Sequence, residues 1–245
     1  NSTVSIAGLG GIGGLLFERL VRLGIENFKV AEPDIFEISN LNRQLFSNMN
    51  NIGKNKIDTV VDECKKINPN IKVKVFPNGI SESNVDDFVQ ADIVVDAIEY
   101  NLPYFLYLLH KSASKYDKTV LAAQAIGFGA SLYVFNKESI KFEDYIGLKN
   151  PENMTKKEIN DYKIPVNKFC PRVPKYVSKK TIANVLLRKS HIPSCSLGVS
   201  AASSLCEMAI IAKILDFFPM PLAPKYICYD CYNAVKGPNE RKANE

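Results

Sequence analysis

The chain has 245 residues, 46% hydrophobic and 23% charged, the balance of an ordinary globular protein with room for one large domain or two small ones. A net charge of +5 is compatible with phosphates or an acidic partner and too weak to argue for nucleic acid. No apolar run of about eighteen residues marks a membrane span, and the opening NSTVSIAGLG enters a strand directly, without the charged-then-apolar pattern of a signal peptide.

In chain order, an apolar strand is expected over residues 4–7, then a glycine turn and a helix over 13–24. Ile12, Leu15, Leu16, Leu20, Val21 and Leu23 recur at helical spacing, and Gly24 reads as the C-cap. A second strand over 27–31 is closed by polar Glu32, Pro33 and Asp34. After a loop, a helix over 54–67 carries Ile57, Val60, Val61 and Cys64 on one face, and Asn68-Pro69 stops it. KVKVF at 72–76 alternates as a third strand. A short helix over 83–90 takes Ser83 as N-cap, with Asp86 in its first turn. DIVVDAI at 92–98 is a continuous apolar strand, as a parallel sheet covered on both faces requires. A helix over 104–116 and strands over 120–124 and 131–136 follow, the strands separated by AIGFGA as a flexible or tight turn.

From Lys137 to about Lys180 the composition becomes charged and is punctuated by Pro151, Pro165, Pro171 and Pro174. A structureless segment is expected there, and one so long inside a domain is functional or mobile. A long helix over 196–218, with Ser194 as N-cap, and an alternating strand over 225–234 complete the chain. No internal repeat or low-complexity tract is visible. The alternation predicts an α/β fold: a Rossmann-like, doubly wound, mostly parallel sheet with helices on both faces, extended by further strands and a long C-terminal helix.

Gly8, Gly10 and Gly13 fit G-x-G-x-x-G between a strand and a helix. The first permits the tight turn, the second lets backbone approach a pyrophosphate, and the third lets helix and strand pack closely, with an anion favoured at the helix N-terminus. Gly11 and Gly14 enrich the turn. Glu32 stands where a carboxylate meets ribose hydroxyls. NAD, FAD and ATP-type ligands all use such a turn. EPDIFEISNLNRQLF then supplies more than a dehydrogenase needs: Asp34, Asn40, Arg43 and Gln44, followed by Lys56 in IGKNKID. A guanidinium fork and an ammonium suit the phosphates of a nucleotide that loses pyrophosphate. Asp96 and Glu99 close the fourth strand, and a carboxylate there can hold Mg²⁺ on those phosphates.

The run GLGGIGG … EPDIFEISNLNRQ … IGKNK … VVDAIEYN resembles the ubiquitin-activating-enzyme-like superfamily, the ThiF/MoeB/HesA group. The resemblance covers about the first 135 residues in order and spacing. It implies Mg-ATP-dependent adenylation of a carboxylate, commonly the C-terminus of a ubiquitin-like or sulfur-carrier protein, with peptides and small carboxylic acids as further substrates, by a homodimer. By position it implies that Gly8, Gly10, Gly11 and Gly13 form the glycine loop and that Glu32 is the ribose-binding acid, usually Asp. Asp34 is implied as the second acid of that strand end. Asn40, Arg43 and Gln44 match Asn-x-x-Arg-Gln, of which Asn and Arg contact ATP phosphates. Lys56 matches the phosphate-binding lysine, and Glu99 falls where the family carries its Mg²⁺-binding Asp. Arg43, Lys56 and Glu99 are thus the expected catalytic set. One adenylation domain over 1–245 is expected, with a nucleotide-binding core (1–135), a crossover loop (137–180) and a C-terminal helix and strand (181–245).

The sequence departs from the family in places. Members carry an arginine-bearing helical segment ahead of the first strand; here the chain opens on the strand, so that segment either precedes Asn1 or is absent from the native protein. Many hold zinc through two C-x-x-C pairs, whereas Cys228 and Cys231 form the single pair, on a strand where i and i+3 face opposite ways; zinc is not expected. Cys170 and Cys195 are candidate thioester thiols, Cys195 at a helix N-terminus that would favour thiolate, while Cys64 and Cys206 read as structural. Six cysteines, irregularly spaced in a long chain, predict a reduced, cytoplasmic protein. His110 and His191 match no triad and read as surface or packing residues. Two rivals stand beside the adenylating reading: an NAD(P)-dependent oxidoreductase, which leaves Asn40, Arg43 and Lys56 unexplained, and a nucleotide-binding scaffold of the same fold without catalysis.

Overall fold

A computed structural model describes residues 2–187, 189 and 193–236; His191 lies outside them. Seven strands form one sheet in the order β3-β2-β1-β4-β5-β6-β7. They are β1 (Thr3–Ala7), β2 (Asn27–Ala31), β3 (Lys72–Phe76), β4 (Ile93–Asp96), β5 (Thr119–Ile126), β6 (Gly129–Phe135) and β7 (Ile227–Asp230). The first five run parallel, whereas β6 and β7 pair antiparallel. The expected doubly wound sheet is therefore present, with an antiparallel edge. All four residues of β4 are buried, as a central parallel strand requires.

Successive side chains of β4 feed two cores. Ile93 and Val95 join the core beneath α1 (Gly11–Arg22), α2 (Lys56–Ile67) and α9 (Ser196–Leu215). Val94 joins the core beneath α3 (Val85–Phe88) and α4 (Pro103–Lys115). By length and composition α9 could cross a bilayer, but here it is a core helix, packing Ala202, Cys206 and Ile210 between α1 and strands β5 and β6. The order 2-1-4 places a topological switch point between β1 and β4, which opens a crevice at their carboxyl ends.

Four expectations are corrected. The segment 137–180 is not structureless. It folds into α5 (Phe142–Ile146), a single turn at Pro151–Asn153, α6 (Lys156–Asp161) and α7 (Val166–Phe169), and leads into α8 (Lys179–Leu186). Phe142, Tyr145, Ile146, Ile159, Ile164 and Phe169 are buried there, so apolar residues spaced between the prolines cover the second core. The strand expected over 225–234 ends at Asp230, whose Oδ1 accepts from the N–H groups of Tyr232 and Asn233 and starts α10 (Cys231–Lys236). Cys231 is thus helical, and the opposite-face argument for the C-x-x-C pair does not apply. The short helix starts at Val85 rather than 83, because Asn84 Oδ1 closes a turn on Ser81 N. Cys195, not Ser194, occupies the N-cap of α9; the Ser194 carbonyl instead accepts from Asn42 Nδ2 at 2.9 Å.

Candidate nucleotide site

The crevice at the switch point is a cleft of about 590 Å³. Gly13, which lies behind it, and Asp96, Cys170 and Cys195 do not line it; the other site residues named from the sequence do: Gly8, Gly10, Gly11, Glu32, Asp34, Asn40, Arg43, Gln44, Lys56 and Glu99. They come from five separate chain segments. The glycine turn is shaped by packing, most tightly at Gly8 and Gly13 and also at Gly11 and Gly14. Gly8 adopts φ +96°, and a Cβ there would stand 2.5 Å from the Ala97 carbonyl oxygen; at Gly13 it would stand 1.8 Å from the Gly8 carbonyl oxygen. Gly10 differs: a Cβ would meet nothing closer than Gln44 Nε2 at 3.7 Å, so no packing contact demands its missing side chain, and the space belongs to the cleft. Behind it α1 begins with no acidic residue in its first turn, leaving its N-terminal N–H groups for an anion.

Glu32, at the end of β2, is buried. Its Oε2 accepts from Leu9 N at 2.7 Å and its Oε1 from Asp34 N at 3.0 Å, which ties the glycine turn to the second strand. Burial pushes its pKa above the usual carboxylate value, with Lys56 and the two N–H groups opposing. Lys56 is also buried. It opens α2, its Nζ lies 3.2 Å from Asp34 Oδ2, and its backbone N–H donates to Asp34 O. The ammonium is therefore held in place by an acid that is itself mostly exposed.

The segment 37–44 forms a turn at Ile38–Asn40 closed by a capping box: Glu37 N donates to Asn40 Oδ1 at 3.0 Å. Asn40 is consequently buried, and Arg43 is half-buried with Nη1 donating to Ser39 O and Asn42 Oδ1 at 2.8 and 2.9 Å. Gln44 is buried, and its Oε1 has no hydrogen-bond partner among the described residues. An unpartnered buried amide in a ligand cleft is expensive unless a ligand or water meets it.

The two acids at the end of β4 separate. Glu99 is exposed and lines the cleft. Asp96 turns into the core, where it accepts from Ile98 N at 3.1 Å and pairs with His110 Nε2 at 2.9 Å. His110, buried on α4, stacks on Phe142 with centroids 3.9 Å apart. The Asp96–His110 pair was missed from sequence, although Leu106, Tyr107, His110 and Ala113 mark one buried face of α4.

Of the candidate thiols, Cys170 is buried and its pKa is pushed up to about 11 by that burial, which suppresses thiolate. Cys195 is half-buried and donates to Gly127 O at 3.4 Å. Burial pushes Cys64 and Cys206 up to about 12, in keeping with structural roles. Among the described residues no three His, Cys, Asp or Glu side chains gather as a metal group. Glu99 alone suits a cation that arrives with phosphates, since Mg²⁺ takes one or two carboxylates and phosphate oxygens.

A model of the ThiF family matches residues 1–244. The adenylyltransferase and sulfurtransferase UBA4 of Candida albicans is 29% identical over 137 residues, which are 56% of this chain and 31% of that protein. The adenylyltransferase and sulfurtransferase MOCS3-1 of Zea mays is 29% identical over 136 residues, 55% of this chain and 29% of that protein. The aligned region thus spans less than a third of these relatives. Among solved structures, E. coli MccB superposes with a TM-score of 0.67 at 20% identity, covering 95% of this chain and 60% of that one. PaaA superposes with a TM-score of 0.65 at 17% identity, covering 94% and 61%. Both share the fold.

Proposed function

The chain belongs to the ThiF family, and from that premise we propose that its cleft binds ATP and transfers the adenylyl group to a carboxylate, releasing pyrophosphate. One observation carries this reading: Arg43, Lys56 and the uncapped N-terminus of α1 all line one cleft. These are donors for phosphates rather than for a nicotinamide ring, and they argue against the oxidoreductase alternative. The curated relatives are named adenylyltransferases, and E. coli MccB has been solved with ATP. The substrate is proposed to be the C-terminus of a ubiquitin-like or sulfur-carrier protein, or a peptide or small carboxylic acid. Segment 137–180 is proposed as the crossover element above it. The unpaired thiols support a reducing, cytoplasmic setting.

A carboxylate oxygen attacks the α-phosphorus in line, the bond to the bridging oxygen breaks, and pyrophosphate departs with the electron pair, leaving an acyl adenylate. Two anions must approach one another, so the step depends on positive charge. Arg43 supplies a fixed fork, Lys56 a point charge held by Asp34, and the α1 N–H groups a partial positive end. Glu32, already fixed by Leu9 N and Asp34 N, accepts from ribose hydroxyls. Glu99 would hold Mg²⁺, and the ion would supply positive charge against the leaving pyrophosphate. No covalent residue is required. A homodimer is part of the proposal, supported by exposed Ile38, Leu41, Leu45 and Met49 on the segment that carries Arg43.

Pyrophosphate exchange into ATP, with a panel of carboxylate substrates, tests the reading. Exchange is expected with the parent and reduced by about 100-fold or more in Arg43→Ala, the scale of losing one transition-state charge contact. ATP binding without exchange for any acid would favour the non-catalytic scaffold.

A further inference from the structure

Between Asp161 and Glu207 the chain has no acidic residue and eight Lys or Arg. The whole chain carries +5, so everything outside this stretch carries −3, and the basic excess of the molecule lies here. Lys163, Arg172, Lys175, Lys179 and Lys180 are all exposed. Among the described residues none of them enters an ion pair. Such a run, with no counter-charges of its own, raises the local positive potential wherever the fold places it.

Its described stretch from Phe169 to Lys180 borders the cleft without lining it, held at two points. On one side Phe169 packs on Tyr100, with centroids 4.5 Å apart, and Tyr100 lines the cleft next to Glu99. On the other, Tyr176 stacks on Phe128 at 4.7 Å, and its hydroxyl accepts from Phe128 N at 2.8 Å while donating to Asp230 at 3.1 Å. Phe128 sits in the β5–β6 turn beside Gly127, which bridges to Ser194 of the cleft lining. Arg172 and Lys175 therefore lie on the span between two anchored aromatic residues, and Lys179 and Lys180 follow at the start of α8. Asp230, the acid beside Tyr176, is already engaged by that hydroxyl and by the first turn of α10.

We infer that this rim docks an acidic carboxyl-terminal tail: a polypeptide whose terminal carboxylate enters the cleft while Asp or Glu residues upstream lie against Arg172, Lys175, Lys179 and Lys180. The inference rests on the adenylation reading for the direction in which the chain enters, and adds the charge of the substrate. The cations act through long-range attraction and rim contacts, which govern encounter and discrimination more than the chemical step. They touch no reacting atom.

Fluorescence anisotropy on the full chain, without ATP, tests it. The probes are labelled peptides of equal length ending in a free glycine carboxylate, preceded by Asp and Glu, by Asn and Gln, or by Lys. The acidic probe is expected to bind about tenfold more tightly than the neutral one, with the preference fading as salt is raised. Arg172→Glu with Lys175→Glu is expected to abolish the preference and leave binding of a fluorescent ATP analogue unchanged. A second variant, Lys179→Glu with Lys180→Glu, should reduce the preference in the same direction. Equal affinity for acidic and neutral probes, or a preference that survives both variants, overturns the inference. So does an RNA duplex or an anionic vesicle that outcompetes the acidic peptide and is itself lost in the variants. Pyrophosphate exchange run in parallel separates the readings: acidic preference without exchange sinks adenylation alone, and exchange indifferent to upstream charge sinks the docking surface alone.

Discussion

Glu32 and His110 are both buried polar residues, and only one of them could be read from its neighbours in sequence. Glu32 follows a strand at the distance a glycine turn prescribes, and the Leu9 and Asp34 N–H groups meet its carboxylate. The signal is local, and so is most of the chemistry around it: the capping box at Glu37 and Asn40 and the Lys56–Asp34 pair all lie within one βα unit. His110 meets Asp96 from another element, 14 residues away, through helix packing that no motif records. The unpartnered Gln44 Oε1 was equally invisible, because it depends on what is absent around it. The pair carries a stability prediction. His110→Ala leaves Asp96 buried with Ile98 N as its remaining partner and opens a void between Phe135 and Phe142. A loss of about 3 kcal/mol or more is expected from the cavity and the uncompensated carboxylate together. Urea unfolding measures it, and a loss below about 1 kcal/mol would mean the pair contributes little.

Among elements, the strands were legible because each has its own apolar pattern, including β5 and β6 on either side of a short turn, while the end of the last strand was not. The final strand read as continuous because KYICYDCYNA alternates, yet Asp230 stops it by capping the next helix. Likewise 137–180 read as loop because its prolines and charges outweighed Phe142, Tyr145 and Ile159, whose burial requires the sheet to be present. A second acidic residue joins elements in a testable way. Asp86, in the first turn of α3, accepts from Ser112 at 2.7 Å, Lys115 at 2.6 Å and Tyr116 at 2.9 Å, all at the end of α4. Those bonds, that from Lys115 foremost, lower its pKa from 3.8 to about 2. Between those values the unfolded chain holds a proton at this position and the folded chain does not, so the contribution is present above about pH 4 and lost as pH falls towards 2. Asp86→Asn should therefore lower stability near neutrality and flatten this part of the acid profile. Denaturation midpoints measured across that window check it; a variant profile parallel to the parent's would rule out the linkage.

For the molecule as a whole, the cleft and the exposed apolar surface beside it belong to one question. Residues 35–49 carry Ile35, Asn40, Arg43 and Gln44 on the cleft side, yet Ile38 and Met49 are 68% and 72% exposed, and Leu41 and Leu45 are exposed as well. Four such residues outside the cleft on a segment built around a phosphate-binding arginine are more than the scatter of single apolar groups normal on a monomer. A second copy covering them would bury the patch and bring its own residues towards the phosphates, so assembly and catalysis would be linked. Sedimentation is expected at twice the chain mass of 27.3 kDa. Ile38→Glu with Met49→Glu should return it to the single-chain mass, because charges desolvated in an apolar interface oppose association. Neither side chain lines the cleft, but Ile38 belongs to the turn that holds Asn40 and Arg43, so a fall in pyrophosphate exchange reports the partner's contribution only if the variant still binds a fluorescent ATP analogue and Met49→Glu alone shows the same fall on dissociation. The outcome that sinks this is specific: a parent that sediments as one chain at every concentration while exchanging pyrophosphate at the same rate per chain.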